Sequence, residues 1–315
     1  MEHARAVVIP AASEVILRDV VLTPAGNNDV TIETCYTSIS AGTERMLLAG
    51  RMPHPMLQFP VIPGYETVGR IIATGSNVPG EMLDKMVYVG GARCYEGVNP
   101  AWGGQSSHLH ADYTRVVTLD GMDATHGVLL ALAATALHGI DIAGDITGKR
   151  VLVLGQGPVG QIAARIALAR GAEVVVVDRV ASRLALAQAS QVVDVSVQSL
   201  AEQKIAPCEV IIEASGSMAA LTSTLGALAN NGRVVLLGYY DEIQLPYMPL
   251  FLKQAQLLTA KEWAPGDLQR CRDMIVSGDL DVAPLLTHTQ HIDNLQAAYH
   301  VALSDLECLK LLLTW

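Results

Sequence analysis

Apolar and polar positions change their rhythm twice along the chain. Over roughly the first 120 residues they form short β-rich runs at 4–9, 15–21, 30–38, 67–74, 86–89 and 113–119, separated by Pro, Gly and Asn. One short helix is expected there, over 44–49. From about Gly127 the texture turns to Ala- and Leu-rich helix, and then to compact apolar runs at 151–154, 174–177, 192–195, 210–212 and 234–237. Short continuous apolar strands alternating with helical stretches predict a parallel sheet covered on both faces. After about Glu262 a helix is expected at 267–277, an extended piece at 282–287, a helix at 292–304 and a strand at 307–313. The predicted class is α/β, with a doubly wound parallel sheet beside a β-rich domain. The expected domains are 1–121, 122–262 and a return to the first over 263–315.

A length of 315 residues suits two domains, and 50% apolar against 17% charged residues excludes disorder. Lys and Arg number 21 against 31 Asp and Glu, a net charge of −10, so generic nucleic-acid binding is disfavoured. Mean hydropathy is +0.33. The apolar run 128–137 nevertheless supplies only about half of the roughly 20 residues a membrane span needs. No transmembrane segment and no signal-peptide core are expected, which points to the cytoplasm. The five cysteines are scattered and odd in number, so neither a disulfide framework nor a Cys-rich zinc module is suggested.

The strongest chemical motif is Gly155-Gln156-Gly157-Pro158-Val159-Gly160, set between an apolar strand and an amphipathic helix. Gly155 suits a tight turn, Gly157 a close approach of backbone to a pyrophosphate, and Gly160 close helix packing. The helix N-terminus offers N–H groups and partial positive charge to phosphates. Asp178 follows 18 residues after Gly160 at the end of the second strand, where a carboxylate accepts from both ribose hydroxyls and repels a 2′-phosphate. NAD is therefore expected rather than NADP, with Arg179 alongside softening the exclusion. Ser215 and Gly238 end two further strands of the sheet and are candidates to face the nicotinamide half. Asp194 reads as a solvated strand end.

Two segments, Pro63-Gly64-Tyr65-Glu66-Thr67-Val68-Gly69 and Ala133-Ala134-Thr135-Ala136-Leu137-His138, give the whole chain a resemblance to the medium-chain dehydrogenase/reductase family. That resemblance implies a GroES-like β-rich catalytic domain, an inserted Rossmann domain and a C-terminal return. Its zinc branch holds Zn²⁺ through an early Cys, a His and a further Cys or acid. Here Ser40 and Tyr65 stand at the first two positions and residues 131–134 offer no third ligand. The four-cysteine lobe is missing as well, with only Cys94 in its region, so no metal site is expected. The run from Ser40 through Thr43, Glu44, Arg45 and Arg51 to Pro53, with Pro60 to Gly69, more narrowly resembles a zinc-lacking branch acting on bacteriochlorophyllides. It implies NAD-dependent oxidation of the C3 1-hydroxyethyl group of a magnesium bacteriochlorin to acetyl, the magnesium belonging to the pigment.

Without a metal, side chains must manage the alcohol proton. Tyr65 and Ser40 are expected to hold the hydroxyl and Glu66 to pass the proton outward, with Thr43 alongside. Such a role requires the phenol to fall well below its usual pKa of about 10; alternatively Tyr65 fills the space of a ligand His, and Glu66 is an orienter. His138 reads as a relay near the nicotinamide ribose or as a structural cap. His108 and His110 share a strand face with no third ligand. Arg45, Arg51 and Arg93 are candidates for a substrate propionate, or plain surface cations. Trp102 and Tyr95 either stack on a macrocycle or pack within their own loop. A quinone or enone reductase and a non-catalytic dinucleotide-binding regulator remain alternatives, and the oligomeric state is open, a homodimer included.

Overall fold

The structure is a computed structural model that describes residues 2–53, 57–203 and 205–315. It divides into two compact units: Met1–Ala131 with Leu286–Trp315, and Leu132–Leu285. The expected boundaries, after 121 and after 262, fall earlier than these points. One reason is that a single helix runs through residue 131. Another is that the helix from Asp267 is tied to the second unit by Arg270, which bridges Asp141 at 2.7 Å and Asp267 at 2.9 Å.

In chain order the first unit contains β1 (Glu2–Val8), β2 (Ile16–Leu22), β3 (Asp29–Ser38), α1 (Ala41–Leu48), β4 (Val61–Ile62), β5 (Thr67–Thr74), β6 (Met86–Val89), β7 (Asn99–Pro100), β8 (His108–Asp112) and β9 (Val116–Thr118). The helix α2 (Leu130–Ile142) leads into the second unit. There follow β10 (Arg150–Leu154), α3 (Pro158–Ala169), β11 (Glu173–Asp178), α4 (Ala181–Ala185), β12 (Gln191–Asp194), β13 (Cys208–Glu213), α5 (Met218–Thr224), β14 (Leu228–Leu236), α6 (Tyr247–Leu252), β15 (Gln256–Thr259) and α7 (Asp267–Ser277). The chain then returns to the first unit with β16 (His288–His291), α8 (Leu295–Ser304) and β17 (Leu311–Thr314).

The first unit is built on a seven-stranded mixed sheet, β16-β17-β3-β5-β6-β9, with β8 also pairing β3. Its alternating strands bury Val30, Ile32, Ile71, Val87 and Leu109 on one side. A second cluster collects Ile39 and Leu47 with Leu295, Tyr299, Leu311 and Leu313, which is how α1, α8 and β17 come to share one core. The stretch 113–119, expected as strand throughout, opens as a 3-10 turn because Asp112 accepts the Thr114 N–H at 2.9 Å.

The second unit holds six parallel strands in the order β12-β11-β10-β13-β14-β15. Central strands β10 and β13 are almost wholly buried, as their unbroken apolar runs require. This is an α/β fold with a Rossmann sheet beside a β-rich domain. The helical stretch Ala124–Ile142 is longer than the apolar run suggested, 19 residues, and passes for a membrane span by length and composition. Two thirds of it is buried inside the protein, as a core helix requires.

Candidate functional site

Two sites emerge, one in each unit. In the first, α1 begins at Ser40, an N-cap residue whose hydroxyl makes no capping bond. That hydroxyl instead shares a hydrogen bond of 2.5 Å with the Tyr65 phenol, which also lies 3.2 Å from the Thr43 hydroxyl. Glu44, buried beneath, instead accepts the Ser40 backbone N–H and the Gln105 amide through its Oε1, each at 3.0 Å. Tyr299, from α8, donates to Gln105 at 3.1 Å. Tyr65 is further fixed by Tyr88, which donates to its carbonyl at 2.8 Å, and by an edge contact with Trp102 at 5.1 Å between ring centroids. Two hydroxyls thus meet one phenol.

Burial decides the electrostatics of this cluster. It pushes the Tyr65 phenol up, and the neighbouring Glu66 charge pushes the same way against the Ser40 and Thr43 hydrogen bonds. Tyr65 is therefore a neutral hydroxyl, the opposite of the lowered pKa that an ionised phenol would need. Glu44 is pushed from an ordinary 4.5 to about 7, first by burial, against the nearby Tyr299 hydroxyl and the Ser40 backbone hydrogen bond. Glu66 is also raised by burial even though Lys310 opposes the shift. Its carboxylate lies 2.5 Å from the Lys310 ammonium, both side chains almost fully covered. That corrects the expectation that Glu66 hands the proton outward: it faces a buried lysine, not solvent. Breaking such a pair costs about 3–5 kcal/mol because a charge is left buried and uncompensated.

The remaining sequence candidates of this unit separate. Arg45 is committed to the Leu303 carbonyl at the end of α8, a favourable place for a cation. Arg51 is exposed beyond the end of α1. Tyr95 is buried and donates to the Gly103 carbonyl at 2.6 Å, so it packs within its loop and is not available for stacking. Trp102 stays half-buried beside Tyr65. His108 and His110 bond Ser107 and Thr31 at 3.1 Å each.

In the second unit Gly155 adopts φ +90° at the end of β10, where a Cβ would lie 2.7 Å from the Ser215 backbone. At Gly160 a Cβ would lie 1.9 Å from the Gly155 carbonyl, so α3 approaches β10 only because that residue is glycine. Gly157 caps α3 with Pro158 at its first position, and a Cβ there would meet nothing. The Val159 and Gly160 N–H groups precede the first intrahelical bond, Gln161 N–H to Gly157 at 2.9 Å. These residues leave an open cradle of the kind a pyrophosphate fills. Asp178 ends β11 and accepts N–H groups of Gln156 at 2.5 Å, Arg179 at 2.6 Å and Val180 at 2.9 Å. Its oxygens have room for further acceptor bonds, since a carboxylate offers about four. His138 lies 3.9 Å from the buried Asp267, within its own unit.

A residue without a role in the sequence reading organises the same C-terminal edge of this sheet next to the glycine turn. Glu213, buried and raised by desolvation, accepts from the Ser215 N–H at 2.8 Å, from the Ser215 hydroxyl and from the Gly216 N–H at 3.3 Å. Gly238 lies against the same carboxylate, where a Cβ would stand 2.7 Å away. Its signal, a lone acid closing an apolar strand, was present at 213. So were Glu44 and Lys310, which only the tertiary structure joins to Ser40 and Glu66.

The family expectation of zinc can be tested on the donors. Ser40, Thr43 and Tyr65 offer neutral hydroxyl oxygens, and the adjacent carboxylate is held by Lys310. This set does not match the nitrogen and sulfur ligands of a dehydrogenase zinc. Among the described residues no group of three His, Cys, Asp or Glu could hold a metal ion.

Comparison with known proteins gives consistent results. The zinc-binding dehydrogenase family matches residues 158–275. A 2-desacetyl-2-hydroxyethyl bacteriochlorophyllide A dehydrogenase of Rhodobacter capsulatus is 33% identical over 301 residues, covering 93% of this chain and 92% of that protein. Among solved structures, an Escherichia coli CFT073 short chain alcohol dehydrogenase complexed with NADH superposes with a TM-score of 0.87 at 19% identity, over 99% of both chains. A candidate zinc-binding dehydrogenase of Sinorhizobium meliloti 1021 bound to NADP does so with a TM-score of 0.88 at 20% identity, over 100% of both.

Proposed function

The chain belongs to the medium-chain zinc-binding dehydrogenase family, and from that premise we propose that it is a zinc-independent, NAD-dependent alcohol dehydrogenase acting on a 3-(1-hydroxyethyl) bacteriochlorophyllide. The observation that carries the reading is the Ser40–Tyr65–Thr43 hydroxyl cluster, in which, by the sequence resemblance, Ser40 and Tyr65 stand where the zinc branch has its first two ligands. The 33% identity to a bacteriochlorophyllide dehydrogenase supplies the substrate class.

The residues of this chain divide the work. The cradle at Gly155, Gly157, Pro158, Val159 and Gly160 binds the pyrophosphate, and Asp178 takes the adenosine ribose hydroxyls and disfavours a 2′-phosphate, Arg179 notwithstanding. Ser215 and Gly238, both set by Glu213, serve the nicotinamide half. When bound, NAD⁺ supplies the acceptor for the hydride of the carbinol carbon. The substrate hydroxyl joins the Ser40 and Tyr65 hydroxyls, which orient it and receive its proton by hydrogen-bond exchange while Tyr65 remains neutral. Glu44 fixes Ser40 through its backbone N–H, and the proton leaves the half-buried hydroxyl cluster to water. His138, paired with Asp267, is left a structural part.

Purified protein with NAD⁺ and a 3-(1-hydroxyethyl) bacteriochlorophyllide should shift the pigment spectrum as the acetyl group forms. Tyr65→Phe should slow that turnover by about 100-fold, within the range general acid–base groups contribute. Pigment binding without turnover would favour a regulatory protein, and turnover confined to quinones with NADPH would favour a reductase.

A further inference from the structure

A cleft of about 350 Å³ opens in the first unit on the side of Trp102, and its lining includes Arg93, Arg115, Gln58 and Asn99. Among the described residues no carboxylate lines it, although the chain carries a net charge of −10. Arg93 is exposed there and forms no ion pair among the described residues. Arg115 spends one donor on the Gly91 carbonyl at 3.3 Å, and a guanidinium has five. Arg93, with no ion pair among the described residues, and Arg115, with donors to spare, face one cavity, and Arg is the side chain that grips a carboxylate with paired donors.

Trp102 adds a second observation. Its backbone sits at φ +71°, a region that bulky residues rarely enter. The conformation is imposed by neighbours: Ala92 donates to the Trp102 carbonyl at 2.8 Å, and Ala101 and Gly103 both donate to Ile62, at 2.8 and 3.0 Å. Strain of this kind persists where surrounding structure over-determines it, and it clusters at ligand clamps. Its effect is to hold one edge of the indole against Tyr65 while the ring lines the arginine cleft.

We propose that this cleft binds the carboxylate of the planar substrate through Arg93 and Arg115, with the Trp102 indole as the surface on which the conjugated ring lies. The assignment rests on the functional reading above and adds to it a recognition site for the substrate's propionate. Trp102 joins the two halves of the task, since the same ring that flanks the anion site braces the phenol at the reacting hydroxyl.

The test compares a 3-(1-hydroxyethyl) bacteriochlorophyllide with its propionate methyl ester, which removes the charge and leaves the reacting group untouched. Wild-type enzyme should prefer the free acid by about tenfold or more in kcat/KM, the size of one charge-assisted contact. In Arg93→Gln and in Arg93→Gln/Arg115→Gln that preference should collapse towards one, and Arg93→Lys should retain part of it. Arg93 is exposed and makes no hydrogen bond or ion pair among the described residues, so the single variant remains informative if the double variant is poorly folded. Equal use of acid and ester by the wild type, or a preference that survives Arg93→Gln, overturns this proposal and leaves the functional reading standing. Failure of the wild type to turn over either compound with NAD⁺ overturns the functional reading and this proposal together.

Discussion

Burial acts on Tyr65, Glu44 and Glu66 in the same direction, yet it gives them three different occupations. The phenol is kept neutral and useful as a hydroxyl, Glu66 is compensated by Lys310, and Glu44 is left poised near neutrality. Because the folded Glu44 carboxyl has a raised pKa, its stabilising contribution is complete below 4.5 and is lost as pH rises to about 7, the unfolded chain releasing its proton first. Between pH 5 and pH 8 the wild type should therefore lose roughly 2 to 3 kcal/mol more stability than Glu44→Gln, at 1.36 kcal/mol per pKa unit. Denaturant unfolding at the two pH values checks this; parallel losses would remove Glu44 as the titrating group. At this scale the sequence is legible where partners are neighbours in a motif: Ser40, Thr43 and Tyr65 stand out because the substitution of a Cys and a His is local. Lys310 and Tyr299 do not stand out, since nothing within reach of their own segments announces that α8 and β17 return to α1 and β5.

The buried central strands are the most legible, although the exposed edge strand β12 also shows as an apolar run. The runs behind β10, β11 and β13 are unbroken because both faces of those strands are covered. β15, the other exposed edge strand, lacks the β-branched Val pair that marks β12, so its short Leu pair does not read as a strand. The β10–α3 turn also shows how two glycines of one motif do different things. Gly155→Ala places a methyl group against the Ser215 backbone at a positive φ, so it should lower both the melting temperature and the affinity for NADH. Gly157→Ala puts its methyl group into open space, where it would meet a bound pyrophosphate. It should weaken NADH binding by about tenfold or more with little change in melting temperature. Fluorescence titration and thermal melts of the two variants separate the effects, and an equal loss of stability in both would contradict the assignment.

For the whole molecule, the donor set at the hydroxyl cluster predicts how the enzyme responds to metal removal. Protein dialysed against EDTA should contain zinc far below one ion per chain and should turn over its alcohol at an unchanged rate; a loss restored by added zinc would refute the metal-free reading. Both layers of the fold could be anticipated from the sequence, whereas the exact points at which the units divide could not, because α2 and α7 are continuous helices whose allegiance depends on contacts such as Arg270 to Asp141. The placement of β17 between β16 and β3 has a further consequence. Strand β3 is translated early and its partner late, with the whole of Leu132–Leu285 made in between. Throughout that interval one edge of β3 is open and Glu66 lacks its ammonium, while the second unit, being contiguous, is free to fold first. The nascent chain thus carries an unfinished sheet on the ribosome for about half of its synthesis, and the stage at which this protein is most exposed to aggregation comes before it is complete.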